Sequence, residues 1–477
     1  MMPSALSPTG SPSAAAPSPA PPSPPALPGV WLAVLVAMAG GWFALCLYAT
    51  WLRWDFWMLG IDTSSYAQLL ARFDQGLGWT YTTHIESTGP IAIFRYHFHL
   101  LLYPLYGLYK LLPHPLVLFV VQHGLHAAGA VTAGILAWRL VPGDGSLAAL
   151  ATLAWLLFPQ HLLGQSLFDF SFRHFSLLLI PLAGLFWQAG RPVAMLAALA
   201  VMVAGTEELA LTAAFFLLAA AWQSPADRGR LAVGAVACFG YLGLMTWLGM
   251  NHHALGWRYA HFRQGLGPTL AVLLSELNAQ YLLFFVGPLL FLPLLRPTSW
   301  LLACVPGAAQ VLFTSTLDTH AIGHHHSAAF GATLLLANLF ALGRLPAAWA
   351  RRVLLGQVLG IAVALLFLPV FPMIDHAADP EFLARRECFR SLAAVVGPRD
   401  SISGPTYLAT HFWQNPEVFL FPFHADDADW VVVPARPTGY PPVGADTIRE
   451  HAARLHADPR YRQVLANQEF LAFRRNP

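Results

Sequence analysis

The residues with the most chemical potential lie between Leu59 and His99. The run Leu59-Gly60-Ile61-Asp62-Thr63-Ser64-Ser65-Tyr66-Ala67-Gln68 is followed by Asp74, Glu86 and Arg95 and closes on Tyr96-His97-Phe98-His99. It follows a long apolar segment that a bilayer would accept, so its acids, imidazoles and aromatics are held at a membrane surface. Charged groups at such a depth are costly and mark functional sites by default. Asp62 sits in turn and N-cap chemistry between Gly60 and Thr63-Ser64-Ser65. It reads as a cap for a helix over Thr63–Phe73, or as a general base or orienting carboxylate for an acceptor hydroxyl, and a capped aspartate can do both. Arg95, His97 and His99 offer charge-assisted bonds to a phosphate or diphosphate leaving group. The plainer reading is a snorkelling arginine beside wet histidines.

A second polar loop, Leu167-Phe168-Asp169-Phe170 with Arg173-His174, places Asp169 and Arg173 at the spacing of an i, i+4 helical pair. Glu207-Glu208 opens the next turn on the same side. A glutamate at bilayer depth costs ~2.5 kcal/mol or more, so at least one should face a cavity or a cation, unless both cap the helix starting at Leu209. Asp318, His320 and His324-His325-His326 are ligand types that suit a divalent metal. Adjacent histidines point in different directions, however, and no cofactor is expected.

The elements that position these residues follow from composition. The chain is 56% hydrophobic and only 10% charged, against roughly 25% charged in a soluble domain. Several apolar runs approach the ~20 residues that cross a bilayer. No basic run suggests nucleic acid, and Cys46, Cys238, Cys304 and Cys388 make no disulfide framework. The expected architecture is an α-helical integral membrane protein with about eleven transmembrane helices. The spans fall at Val30–Trp51, Leu116–Trp138, Leu147–Leu163, Phe175–Gln188, Val193–Gly205, Leu209–Trp222, Leu231–Leu248, Tyr281–Leu295, Trp300–Thr316, Ala328–Leu342 and Val353–Phe371.

Residues 1–28, rich in Pro, Ser and Ala and without charge, are expected to be disordered. The membrane domain covers 29–373, with its first outer loop at 53–99. Trp51, Trp54 and Trp57 read as an interfacial aromatic belt. Residues 100–112 are too short to cross and read as an interfacial helix. Residues 374–477 have ordinary charge density and read as a small α/β domain.

Charge placement orients this scheme. With the N-terminus cytoplasmic, the inner loops collect Arg139, Arg191, Arg228, Arg230, Arg296, Arg344, Arg351 and Arg352 against Asp144 and Asp227, as the positive-inside bias requires. The acids and most histidines then gather outside, and the C-terminal domain is extracytoplasmic in a multi-pass plasma (inner) membrane protein.

The ordered motifs Leu59-Gly60-Ile61-Asp62, His97-Phe98, Pro104-Leu105-Tyr106, Phe168-Asp169-Phe170, Glu207-Glu208, His325-His326-Ser327-Ala328-Ala329 and Asp429-Trp430-Val431-Val432-Val433 resemble those of a bacterial and archaeal membrane-protein family known only as domain of unknown function 2079. The chain departs from that pattern at Ala67 and at Ser171-Phe172-Arg173. The family is similar to the GT-C superfamily of multispanning glycosyltransferases, which take sugars from polyprenyl-phosphate donors. The resemblance implies a catalytic role for Asp62. Arg95, His97 and Arg173 would bind phosphate, and Asp169, His174, Glu207, Glu208 and His325 would support or contact the substrate. The implied partners are the lipid bilayer, a polyprenyl-phosphate sugar donor and an acceptor glycan, lipid or protein. On the residues alone, a transporter of a small polar solute and a non-catalytic envelope-assembly protein stay open.

Overall fold

In the computed structural model, residues 26–84, 89–166, 168–250, 258–314, 325–368, 370–436 and 443–476 are described. The bundle opens with Gly29–Asp55 (α1), 27 residues whose only charges before its last residue is Arg53. At 1.5 Å per residue it is about 40 Å long, enough to cross ~30 Å of hydrocarbon. Two shorter helices follow: Ile61–Asp74 (α2) and Leu102–Leu111 (α3). With 10 residues α3 reaches only about 15 Å. Between them Thr80–Tyr81 (β1) and Ile91–Ala92 (β2) pair antiparallel.

The bundle continues through Leu116–Leu140 (α4), Gly145–Leu157 (α5), Pro159–Ser166 (α6), Ser176–Gln188 (α7), Pro192–Gly205 (α8), Leu209–Gln223 (α9) and Arg228–Trp247 (α10), then Ala328–Leu342 and Ala347–Leu365. The Ala328–Leu342 helix buries all but one of its 15 residues. A helix apolar all round belongs in the centre of a bundle.

Among the described residues, 5 helices are long and apolar enough to cross a membrane by length and composition, and Gly145–Leu157, Pro192–Gly205, Leu209–Gln223 and Ala328–Leu342 are shorter apolar helices. Helix length therefore does not reproduce the expected count of about eleven. Proline is one reason. The run expected over Leu147–Leu163 breaks at Phe158, whose ψ of 127° is what a following proline enforces. The stretch expected to hold spans at Tyr281–Leu295 and Trp300–Thr316 contains π turns at Leu282–Val286, Trp300–Cys304 and Ala308–Leu312. Pro288, Pro293, Pro297 and Pro306 interrupt its hydrogen-bond ladder.

The small C-terminal sheet domain has strands Ile402–Gly404 (β3), Val418–Leu420 (β4), Trp430–Pro434 (β5), Tyr461–Ala466 (β6) and Phe470–Arg475 (β7) in the order β4-β3-β5-β7-β6. Its two β3 pairings are parallel and its two β7 pairings antiparallel. Helices Pro380–Ala393 and Ala445–Ala457 accompany it.

The domain docks on the end of the bundle that carries α2. Asp55 accepts from Arg386 and Arg390 at 3.0 Å each, Thr82 exchanges two 2.9 Å bonds with the Val418 backbone, and Arg72 donates to the Pro416 carbonyl. The expected aromatic belt is corrected here. Trp51 is exposed, but Trp54 and Trp57 stack on His411 at 3.9 and 3.6 Å, and Trp57 also lies 5.1 Å from Phe389. Two of the three indoles are domain glue, not lipid anchors.

Candidate functional site

Chain connectivity brings four loops to one end of the bundle: Phe56–Gly60 ahead of α2, the segment before α3, Phe168–Phe175 and Thr206–Glu208. Asp169 organises the first of them. Its Oδ1 accepts from the Gly60 amide at 2.9 Å and from Arg53 at 3.4 Å, and its Oδ2 accepts from the amides of Asp62 and Thr63 at 3.2 and 3.4 Å. Arg53 also donates to the Phe168 carbonyl at 2.8 Å. A helix N-terminus presents unpaired amides and a partial positive charge, so a carboxylate from another loop is a favoured cap. Gly60 permits the approach, because a Cβ there would meet Asp169 Oδ2 at 2.5 Å.

The spacing-based pairing of Asp169 with Arg173 is thus corrected: each finds a different partner. Arg173 donates through Nε and Nη2 to Glu208 Oε2, the Nε contact being 2.8 Å. Arg258 reaches Glu208 Oε1 at 3.4 Å and His326 Nε2 at 3.3 Å, and Gln310 donates to the Glu208 carbonyl at 3.1 Å. Burial pushes the Glu208 carboxyl up, but the charges of Arg173 and Arg258 outweigh it and hold it low. These groups wall a cavity of about 100 Å³ whose other faces include Leu209, Leu211 and Leu242. One wall thus carries two arginines with the Glu208 carboxylate between them, and another carries leucines.

A histidine–glutamate unit stands next to it. Glu207 accepts from His97 Nδ1 and from the Phe98 amide, both at 2.9 Å. Burial raises its carboxyl, but the His97 bond, the nearby imidazoles and the amide bring it down to about 2. His99 stacks on His97 with centroids 4.9 Å apart. Its Nδ1 lies 2.6 Å from the Gly205 carbonyl and its Nε2 3.1 Å from the Tyr66 hydroxyl. A carbonyl only accepts, so Nδ1 carries the hydrogen and Nε2 accepts from Tyr66. Burial and the neighbouring His97 lower His99 to about 3, so it is neutral at physiological pH.

Asp62 is half-buried in the first turn of α2. After burial, its charge is the next cause pushing the Tyr66 phenol up, and it acts on Tyr81 as well. Asp62 does not line the Arg173–Arg258 cavity.

Arg95 is exposed at the end of a 3₁₀ turn and joins none of these contacts, so the structure does not place it with the cluster. His174 is buried, with Nδ1 3.1 Å from the Ser171 carbonyl, and burial lowers it to about 3. It also does not line the cavity. His325 begins a short 3₁₀ turn, but its side chain, with Glu86, Asp318, His320 and His324, lies outside the described residues. Most of the segment read for a metal lies there too, and among the described residues no cluster of ligand types could hold one.

Arg53, Arg258 and Gln310 were not singled out from sequence as site residues, and His326 was read only as a metal-ligand type, not as a partner of Arg258. Arg53 carried a usable signal, being the one cation inside an otherwise apolar span.

The helical bundle, with its long apolar helices, defines a multispanning membrane protein. The profile of the family described as Predicted membrane protein (DUF2079) matches residues 54–465, and the chain belongs to that family. Among solved structures it is similar in fold to ArnT from Cupriavidus metallidurans, crystallised bound to undecaprenyl phosphate. The likeness covers 93% of this chain and 98% of that one, with a TM-score of 0.54 and 14% sequence identity. No curated protein matches the chain.

Proposed function

We propose that the protein is a membrane glycosyltransferase that takes a sugar from a polyprenyl-phosphate donor on the extracytoplasmic face. The observation that carries this reading is the cavity walled by Arg173 and Arg258 on one side and by leucines on the other. It lies at the same end of the bundle as Asp62 and the His97–Glu207 unit. Arginine forks bind phosphate oxygens in two-point geometry and stabilise the charge that builds on a departing phosphate. Asp62 would orient or deprotonate the acceptor hydroxyl, with Asp169 holding its backbone. His97, Glu207 and Glu208 would fix the cations and meet sugar hydroxyls. The ArnT fold supports the class, since that relative holds undecaprenyl phosphate. In this reading the N-terminus is cytoplasmic and the C-terminal domain, outside, helps position the acceptor.

The test is a proteoliposome assay with labelled polyprenyl-phosphate sugars, comparing wild type with Asp62→Asn. Turnover by the wild type that falls by about 10²-fold or more in the variant is expected of a positioned acid–base group. Absence of donor turnover by folded wild-type protein across the donors tried would overturn the reading.

A further inference from the structure

The opposite end of the bundle carries a second polar hollow that the proposed reaction does not use. Helices α4, α7, α9 and Ala328–Leu342 all begin at the site end, so their C-termini converge at the other. There they meet the turn at Arg296–Ser299 and enclose a cavity of about 270 Å³ with predominantly polar walls. Arg139, Arg296 and Arg344 enter it from three different elements, joined by Gln188, Gln223 and Thr298. Among the described residues, none of the three arginines has an ion pair with a carboxylate. By contrast Arg351, nearby in sequence, has Asp144 at 3.6 Å.

The helix dipole favours a cation at a helix C-terminus, which accounts for Arg139 in the last turn of α4 and Arg344 just beyond Leu342. It does not account for three turned into one concavity, where like charges oppose one another: burial and the charge of Arg344 both make the Arg296 cation less favourable. Glutamine and threonine complete the hydrogen-bonding set that phosphate oxygens accept, and basic pockets between membrane helices bind phospholipid head groups.

We propose that this hollow is an anion site for a phosphate group, supplied by the head group of an acidic phospholipid or by free phosphate. An anion there would relieve the repulsion between Arg296 and Arg344 and tie together four helix ends.

The full chain in neutral detergent is titrated with phosphatidylglycerol, phosphatidylcholine or inorganic phosphate while thermal unfolding is followed. Phosphatidylglycerol should raise Tm by several degrees more than phosphatidylcholine, because a ligand of the native state stabilises it by mass action. The gain should vanish in about 1 M salt, where the screening length is about 3 Å. In R139Q/R296Q/R344Q the gain should be lost, and in Arg296→Gln alone apparent affinity should fall about tenfold, the value of one charge-assisted bond. If the triple variant does not fold, the single variant and the salt series decide. A gain with inorganic phosphate and none with phosphatidylglycerol supports the site and assigns it to free phosphate. Equal responses of wild type and the glutamine variants to every additive would overturn it.

Discussion

The Gly60 amide and the Asp169 carboxylate, 109 residues apart in the chain, lie 2.9 Å from each other and join two loops of the membrane domain into one platform. Asp169 also accepts from the Asp62 and Thr63 amides and from Arg53, so a single carboxylate sets the position of the proposed catalytic loop. Gly60→Ala would thrust a methyl group to 2.5 Å from Asp169 Oδ2, and the carboxylate must withdraw from the amides it caps. A destabilisation of about 1–3 kcal/mol is expected, the range for buried polar groups left unsatisfied. Asp169→Ala should cost more, about 3–5 kcal/mol, because it strands the buried Arg53. Thermal unfolding of both variants in detergent measures the difference; if Gly60→Ala is as stable as wild type, the cradle is not holding the loop.

Arg258 tests phosphate placement, since it reaches Glu208 through one nitrogen where Arg173 uses two. Arg258→Gln should raise the donor KM about tenfold or more, the equivalent of one charge-assisted hydrogen bond. Arg258→Lys should recover only part of it, because an ammonium lacks the planar fork. Steady-state kinetics in proteoliposomes separates KM from kcat, and an unchanged KM in Arg258→Gln would move the phosphate elsewhere.

The membrane bundle was legible because burial and bilayer crossing both act through apolar runs, and Gly29–Asp55, Leu116–Leu140 and Ala328–Leu342 all fall where periodicity and length put them. The small C-terminal domain was legible because charge density returns to an ordinary level after residue 373. The short α3 followed from the brevity of its apolar run. The pairing of site residues was not legible. Asp169 and Arg173 sit at a helical spacing, yet their segment is a loop closing into a four-residue 3₁₀ turn, so the i, i+4 rule had no helix to act on. Trp54 and Trp57 looked like lipid anchors because nothing local reveals a second domain folding back from residue 380 onward. Arg258 and His326 become neighbours only through packing of elements 68 residues apart.

Acid should weaken the fold through neutral buried histidines before it touches the carboxylates. His99, lowered to about 3 by burial and by His97, is neutral when folded, whereas an unfolded histidine titrates near 6.5. Between those values the unfolded chain binds the extra proton, so stability falls as pH drops from 6.5 toward 3 and is unaffected above that window. His174 and His411 behave alike. Glu207, held down to about 2, adds its own loss only below the unfolded glutamate range near 4.3. His99→Asn should therefore flatten the pH dependence of unfolding between pH 6.5 and 5 by up to about 1.4 kcal/mol per pH unit. Denaturation curves at a series of pH values give that slope, and an unchanged slope would mean that His99 takes up its proton in the folded state.

The docking of the C-terminal domain separates surface charge from buried stacking. Asp55 holds Arg386 and Arg390 at 3.0 Å, but Arg390 is half-exposed, and exposed pairs contribute only about 0.2–1 kcal/mol each. Trp57 is 4% exposed and stacks on both His411 and Phe389, and removing such a ring costs about 3–5 kcal/mol. Proteolysis of a transiently opened state tracks its equilibrium population. Asp55→Asn should thus speed cleavage between the last membrane helix and Pro380 by no more than about thirtyfold, the equivalent of two such pairs, while Trp57→Ala should release the domain outright. Trp57→Phe, which keeps an aromatic face, should fall between them. Because Trp57 also leads into the Gly60–Asp62 segment, Trp57→Ala is expected to lower donor turnover even though, among the described residues, none of the sheet domain lines the cavity. If limited proteolysis finds Asp55→Asn the more labile of the two, the ion pairs and not the stacked rings hold the domain in place.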